Sequence, residues 1–144
     1  MKIGLCMLFL VFFAAEASAD PIRIAQIKTV SGTATIARGG ERIAARVGDP
    51  LYESDVIETG PDGTIGVTFI DNTVFSTGPN TQVALEQFAF DSGNFRGHML
   101  ADMRRGTLTV VSGDITRSSP GALKIKTPNG VLGVRGTRFA VKVY

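Results

Sequence analysis

The run Asp62-Gly63-Thr64-Ile65-Gly66-Val67-Thr68-Phe69-Ile70-Asp71-Asn72-Thr73-Val74-Phe75-Ser76-Thr77-Gly78-Pro79-Asn80 decides the fold class. Its turn formers Asp62-Gly63, Asp71-Asn72 and Pro79-Asn80 recur nine residues apart, counted on their Asp and Asn positions. Between them Ile65, Val67 and Phe69 alternate with small or polar residues, then come Val74 and Phe75, and Val83, Leu85 and Gln87 follow. Alternation with a period of two places one row of side chains on a buried face and the next on a solvated one, which is the pattern of a strand. Pro presets one turn dihedral, while Gly and Asn tolerate positive φ. The predicted class is therefore all-β, with short strands in a solenoid-like or sandwich-like stack, since rungs of near-equal length fit both.

Working outward, the same grammar holds. Towards the N-terminus, Leu51, Val56 and Ile57 lead into Thr59-Gly60 and Pro61. Ile43, Ala45 and Val47 alternate up to Gly48-Asp49-Pro50. Val30, Gly32, Ala34 and Ile36 share one face of a predicted strand, with Thr33, Thr35 and Ala37 on the other, before the Gly39-Gly40 turn. Towards the C-terminus, Asp91-Ser92-Gly93-Asn94 marks a loop. Residues 99–105 favour a helix by propensity. A stretch so short, closed by Gly106 and followed by β-branched residues, is predicted as strand instead. Turns are expected at Ser112-Gly113-Asp114 and Ser118-Ser119-Pro120-Gly121. Leu123, Ile125 and Thr127 alternate with Lys124 and Lys126, and Phe139, Val141 and Val143 face one way in the last rung.

The start of the chain reads as an address. Lys2 precedes an apolar run and the small tripeptide Ala17-Ser18-Ala19, the pattern of a secretory signal peptide. The run reaches ~20 Å as a helix against the ~30 Å of hydrocarbon that a membrane-spanning helix must cross. Cleavage is expected between Ala19 and Asp20, leaving residues 20–144 as one β domain. The single cysteine, Cys6, falls inside the leader and is not placed for lipid attachment. The mature domain then has no thiol, which excludes disulfides, thiolate metal sites and a cysteine nucleophile.

Composition narrows the classes further. A chain of 144 residues with 44% apolar content is long and hydrophobic enough for one packed domain and excludes an intrinsically disordered chain. Fifteen Lys and Arg against thirteen Asp and Glu, scattered along the chain, do not point to a nucleic-acid partner.

The search for chemistry is largely negative. His98 is the sole histidine, so a histidine metal cluster is not available, and beside a glycine-rich loop it reads as solvated. Asp49, Glu53, Asp55, Glu58 and Asp62 form the one local carboxylate cluster, without the alternating spacing of a calcium loop. Ser112, His98 and Asp114 supply triad residue types but no nucleophile elbow. Gly133-Val134-Arg135-Gly136-Thr137 has the glycines of a phosphate loop, yet an alternating strand follows instead of a helix. Gly133 and Gly136 are read as letting backbones approach closely or bend at a rung junction, with Arg135 facing water or pairing with a carboxylate. No cofactor, metal or small-molecule substrate is expected.

At these residues the chain resembles the FecR-type periplasmic domain, a family of bacterial envelope modules. The likeness runs from about Val30 to Val143, through Val30-x-Gly32-x-Ala34-x-Ile36-x-Arg38-Gly39, Val47-Gly48-Asp49-x-Leu51, Asp55-Val56-Ile57-x-Thr59-Gly60, the run 62–73 quoted above, Thr127-Pro128, and Gly133-Val134-Arg135-Gly136-Thr137-x-Phe139. The motif residues Gly48, Asp49, Thr59, Gly60, Asp62, Gly63, Thr127, Pro128, Gly133, Arg135, Gly136, Thr137 and Phe139 are taken as structural or interaction positions. Asn129-Gly130 and Arg138 depart from the family pattern. The resemblance implies an all-β, non-catalytic module exported to the periplasm, or beyond the cell, here behind a cleavable leader in place of an anti-sigma segment and a spanning helix. It implies signalling or scaffolding by contact with another envelope protein. The membrane would be met only during export. The alternative is a glycan or peptidoglycan-binding module. Its usual aromatic platform would have to come from Tyr52, Tyr144 and the six phenylalanines Phe69, Phe75, Phe88, Phe90, Phe95 and Phe139, with no tryptophan in the chain.

Overall fold

A computed structural model describes residues 14–136 and 138–144. Most of the N-terminal apolar run, with Cys6, and Thr137 lie outside the described residues. Residues 14–23, including Ala17, Ala19 and Asp20, are exposed and carry no regular structure. No helix among the described residues is long and apolar enough to cross a membrane.

The domain is all-β. In chain order it comprises β1 (Ala25–Ser31), β2 (Ala34–Arg38), β3 (Glu41–Ala44), β4 (Pro50–Leu51), β5 (Val56–Thr59), β6 (Thr64–Phe69), β7 (Val74–Thr77), β8 (Gln82–Asp91) and β9 (Arg96–Val111). One helical turn, α1 (Ile115–Ser118), precedes β10 (Leu123–Thr127), β11 (Gly130–Gly133) and β12 (Arg138–Val143). The strands form a single curled sheet in the order β3-β2-β5-β8-β9-β7-β6-β1-β4, with β10 and β12 also on β9, and β11 outside β10. Pairings are antiparallel except that of β9 with β10. A solenoid would stack parallel rungs. The nine-residue spacing instead produces hairpins and corners, as where β6 meets β7 across Asp71-Asn72.

The long strand β9 belongs to both halves of the curl. Its first part pairs with β8 from Arg96 to Arg105 and with β10 from Met99 to Asp102. Its second part pairs with β7 from Leu108 to Val111 and with β12 from Gly106 to Val111. The bend lies at Gly106, whose φ of +95° is open to glycine and strained for other residues. Thr81 packs so tightly on this glycine that a Cβ there would overlap its Cα and Oγ1. The predicted strand at 99–105 is thus the first part of a longer one, in which Met99, Ala101 and Met103 face the core.

The two halves close over one hydrophobic core. Phe69 of β6 meets Phe75 edge-on at 4.8 Å between ring centroids and stacks on Phe88 of β8, in the other half, at 5.5 Å. Ile27, Leu51, Ile57, Val67, Leu108, Ile115, Leu123 and Ile125 complete its fully buried centre. Each such side chain contributes roughly 1.5–3 kcal/mol by leaving water.

Three expectations need correction. The predicted strand across 30–36 is two strands, because Gly32, at φ +63°, turns the chain from one half of the sheet to the other. The alternation at 43–47 does not continue as a strand: β3 ends at Ala44, and Val47 is 66% exposed. Asp49 stops it, its Oδ2 accepting the Arg46 amide at 3.2 Å while its own amide donates to Arg46 O at 3.1 Å. Between the two turns at 112–121 the chain makes the single turn α1, with Ile115 buried beneath it.

Candidate interaction surface

The motif residues come first, because their bonds show what they are free to do. Thr59 is buried; its Oγ1 donates to Gly78 O at 2.7 Å and accepts the Thr81 amide at 2.9 Å. Gly60 N donates to Thr33 O, and Asp62 Oδ1 accepts the Thr33 amide. A Cβ on Gly63 would overlap Thr33 O. Gly60, Asp62 and Gly63 seat the Gly32-Thr33 corner, while Thr59 holds the turn between Gly78 and Thr81. Gly48 supplies a φ of +94° to the turn that Asp49 closes. Thr127 Oγ1 donates to Gly130 O at 3.0 Å and accepts the Asn129 amide at 3.3 Å, shaping the β10–β11 turn with Pro128. In the Asn129-Gly130 departure, Asn129 thus lies at the tip of a hairpin and Gly130 opens its second strand.

A second polar lock, not anticipated from the sequence, is built on Asp71. Its buried carboxylate accepts the Thr73 amide at 3.1 Å, the Thr73 hydroxyl at 2.7 Å and the Ile115 amide at 3.3 Å. Thr73 Oγ1 in turn accepts Gly113 N at 3.0 Å, and Asp71 O accepts the Asp114 amide at 2.7 Å. The Asp71-Asn72-Thr73 signal thus holds the segment around α1 as well as turning a hairpin.

The acidic cluster does not converge. Asp55, 1% exposed, is gripped by Arg38. Glu58 faces Arg42 at 3.5 Å and accepts Gln82 Nε2 at 3.2 Å. Asp49 and Asp62 cap the turns already described. Among the described residues no three His, Cys, Asp or Glu side chains group as metal ligands. The triad residue types are also apart: Ser112 Oγ donates to Gly136 O, Asp114 accepts from Asn72, and His98 lies near the opposite end of β9.

Two of the surface clefts bear on contact with a partner. One is an apolar cleft of about 480 Å³ where the N-terminal segment at Ile22 and Ile24 meets Tyr52, Ile70, Phe88 and Phe90. Ile22, which borders it, is 79% exposed. The other, about 260 Å³, lies between Leu132, Gly133, Val134, Arg135, Gly136 and Phe139. Here the last family motif falls on a surface. Arg135 is exposed, Gly133 and Gly136 have open space where a Cβ would sit, and Phe139 packs partly on the core.

This second cleft is lined by residues of the basic C-terminal segment of the chain. Residues 96–144 hold nine of the fifteen Lys and Arg and two of the thirteen Asp and Glu. All nine cations are exposed, and the two carboxylates, Asp102 and Asp114, each face an arginine, Arg104 at 3.7 Å and Arg117 at 3.5 Å. The cations scattered from Arg23 to Lys142 are thus weighted towards the segment after β8, as a count by segment shows.

Comparison with known proteins gives one relation. A family model described as FecR protein matches residues 55–144, from β5 to the last residue. The Gly48-Asp49 part of the resemblance lies before that match. No curated protein and no solved structure matches the chain.

Proposed function

On the premise that the chain belongs to the FecR protein family, we propose that it is a non-catalytic module of the bacterial envelope that acts by contact with another envelope protein. Residues 1–19 serve as its export leader, and the β domain works in the periplasm. One observation carries this reading. The motif side chains Thr59, Asp62 and Thr127 are bonded into corners and turns, while the last motif borders a surface cleft beside exposed cations, with no nucleophile beside a base among the described residues that line it. Such a scaffold presents shape and charge.

The wall-binding alternative ranks second. Of the six phenylalanines, Phe95 alone is exposed; Phe69, Phe75 and Phe88 are buried in the core, and Phe90 and Phe139 pack against it. A flat aromatic platform for a sugar ring is missing among them.

The test is to express the full chain with a C-terminal tag, sequence the N-terminus of the exported product, and cross-link it in intact cells. A product beginning at Asp20 and a reproducible cross-link to one envelope protein are expected. Retention in the cytoplasm, or sedimentation with purified peptidoglycan and no protein cross-link, overturns the reading.

A further inference from the structure

We infer that the outer edge of β11 accepts an extended, acidic segment of another protein as an added strand, with an apolar side chain of that segment seated in the cleft between Leu132 and Phe139. This rests on the reading of the chain as a contact module and names the chemistry of its partner.

The edge itself is the first observation. Among the described residues β11 pairs with β10 alone, and its four residues are all exposed. Val131 and Leu132 are 58% and 46% exposed, which is unusual for adjacent aliphatics on an outer strand. An added strand would supply hydrogen bonds to the free backbone groups, and its alternate side chains would fall on two faces.

The register says what those side chains should be. Leu132 lies opposite Ile125, so it shares the inward face of the sheet and borders the cleft of about 260 Å³ with Phe139. A partner residue beside Leu132 meets an apolar surface. Gly133 lies opposite Lys124 on the outward face, and nothing stands within 4 Å of where its Cβ would be. The Lys124 side chain can therefore cross over the glycine to a carboxylate on the next strand, with exposed Arg135 beside the same end. Lys126, opposite Val131, already faces Glu86 at 3.9 Å and contributes less. The segment that fits alternates acidic and apolar residues.

The other occupants fit less well. A second copy paired edge to edge would bring two sets of Lys124 and Arg135 together, and like charges across strands repel. A lipid surface would attract the cations, but hydrocarbon leaves the unpaired backbone groups of a sheet edge unsatisfied.

A fluorescent peptide alternating glutamate and valine, titrated into the full chain, tests this. Saturable binding that weakens in high salt and slows amide exchange at residues 131–133 is expected. Lys124→Glu should weaken binding about tenfold and raise affinity for the matching lysine–valine peptide, while Leu132→Ser should weaken binding of both peptides. Both sites are exposed, so the fold is retained, as thermal melting would verify. Equal binding of the two peptides by the unaltered chain overturns the inference. So does binding without protection of residues 131–133, protection of those amides by anionic vesicles alone, or their protection by self-association. If the peptide fails while the cross-link to an envelope protein persists, strand addition alone is lost; if both fail, the contact reading falls too.

Discussion

Arg38 closes on Asp55 through two parallel bonds, Nε to Oδ1 at 2.8 Å and Nη2 to Oδ2 at 2.7 Å. The same carboxylate accepts the Tyr52 amide at 2.9 Å, and the guanidinium lies 4.7 Å from the centre of the Tyr52 ring. One pair thereby ties β2, the Tyr52 loop and, through Nη2 to Pro50 O at 3.2 Å, the start of β4. Removing the arginine would leave a buried carboxylate without its counter-charge. Arg38→Ala should cost about 2–3 kcal/mol, read from urea midpoints. Arg42→Ala, at the exposed pair with Glu58, should cost less than about 0.5 kcal/mol.

The same pair has a pH signature. The hydrogen bond it donates to Asp55, working against desolvation, holds the Arg38 guanidinium above its ordinary value. A cation whose pKa is raised on folding contributes its stability in full below its unfolded value and loses it as pH rises from there through the folded one. The stability gap between the unaltered chain and Arg38→Ala should therefore stay flat from neutrality to about pH 10. A gap that closes across that range would contradict the assignment.

Asp71 makes a second stability prediction. Asp71→Ala removes the acceptor of three hydrogen bonds in a buried corner and should cost about 2–4 kcal/mol. Hydrogen exchange should speed up at Gly113 to Ile115, which depend on this corner, more than at β3, which does not.

Glycine substitutions separate conformation from crowding. Gly39, at φ +57°, has open space around it, so Gly39→Ala should cost about 1 kcal/mol for the left-handed backbone alone. Gly106→Ala adds overlap with Thr81 at the bend of β9 and should cost about 3 kcal/mol or more. Equal midpoints for the two variants would mean that the bend does not depend on the missing side chain.

Much of this fold was legible in local chemistry. The Asp71-Asn72 turn, the strand character of 99–105 and the alternation at Leu123 and Ile125 depend on near neighbours, and each is found. Gly32 was missed because Val30, Ala34 and Ile36 keep step across the corner, so periodicity gives no sign that the chain has changed halves. The Arg38–Asp55 pair joins residues 17 positions apart, and no spacing rule announces such a partner. The motif residues were taken as structural or interaction positions without being told apart; the bonds of Thr59 and Thr127 separate these two from Gly133 and Arg135, which border the surface cleft.

Strand β9 pairs with β7, β8, β10 and β12, and so is common property of both halves of the curl. Neither half has a seam along which it could peel away and leave the other standing. Heating or pulling on this molecule should thus give a single melting step, without a half-open form in which a protease could cut one lobe and spare its neighbour.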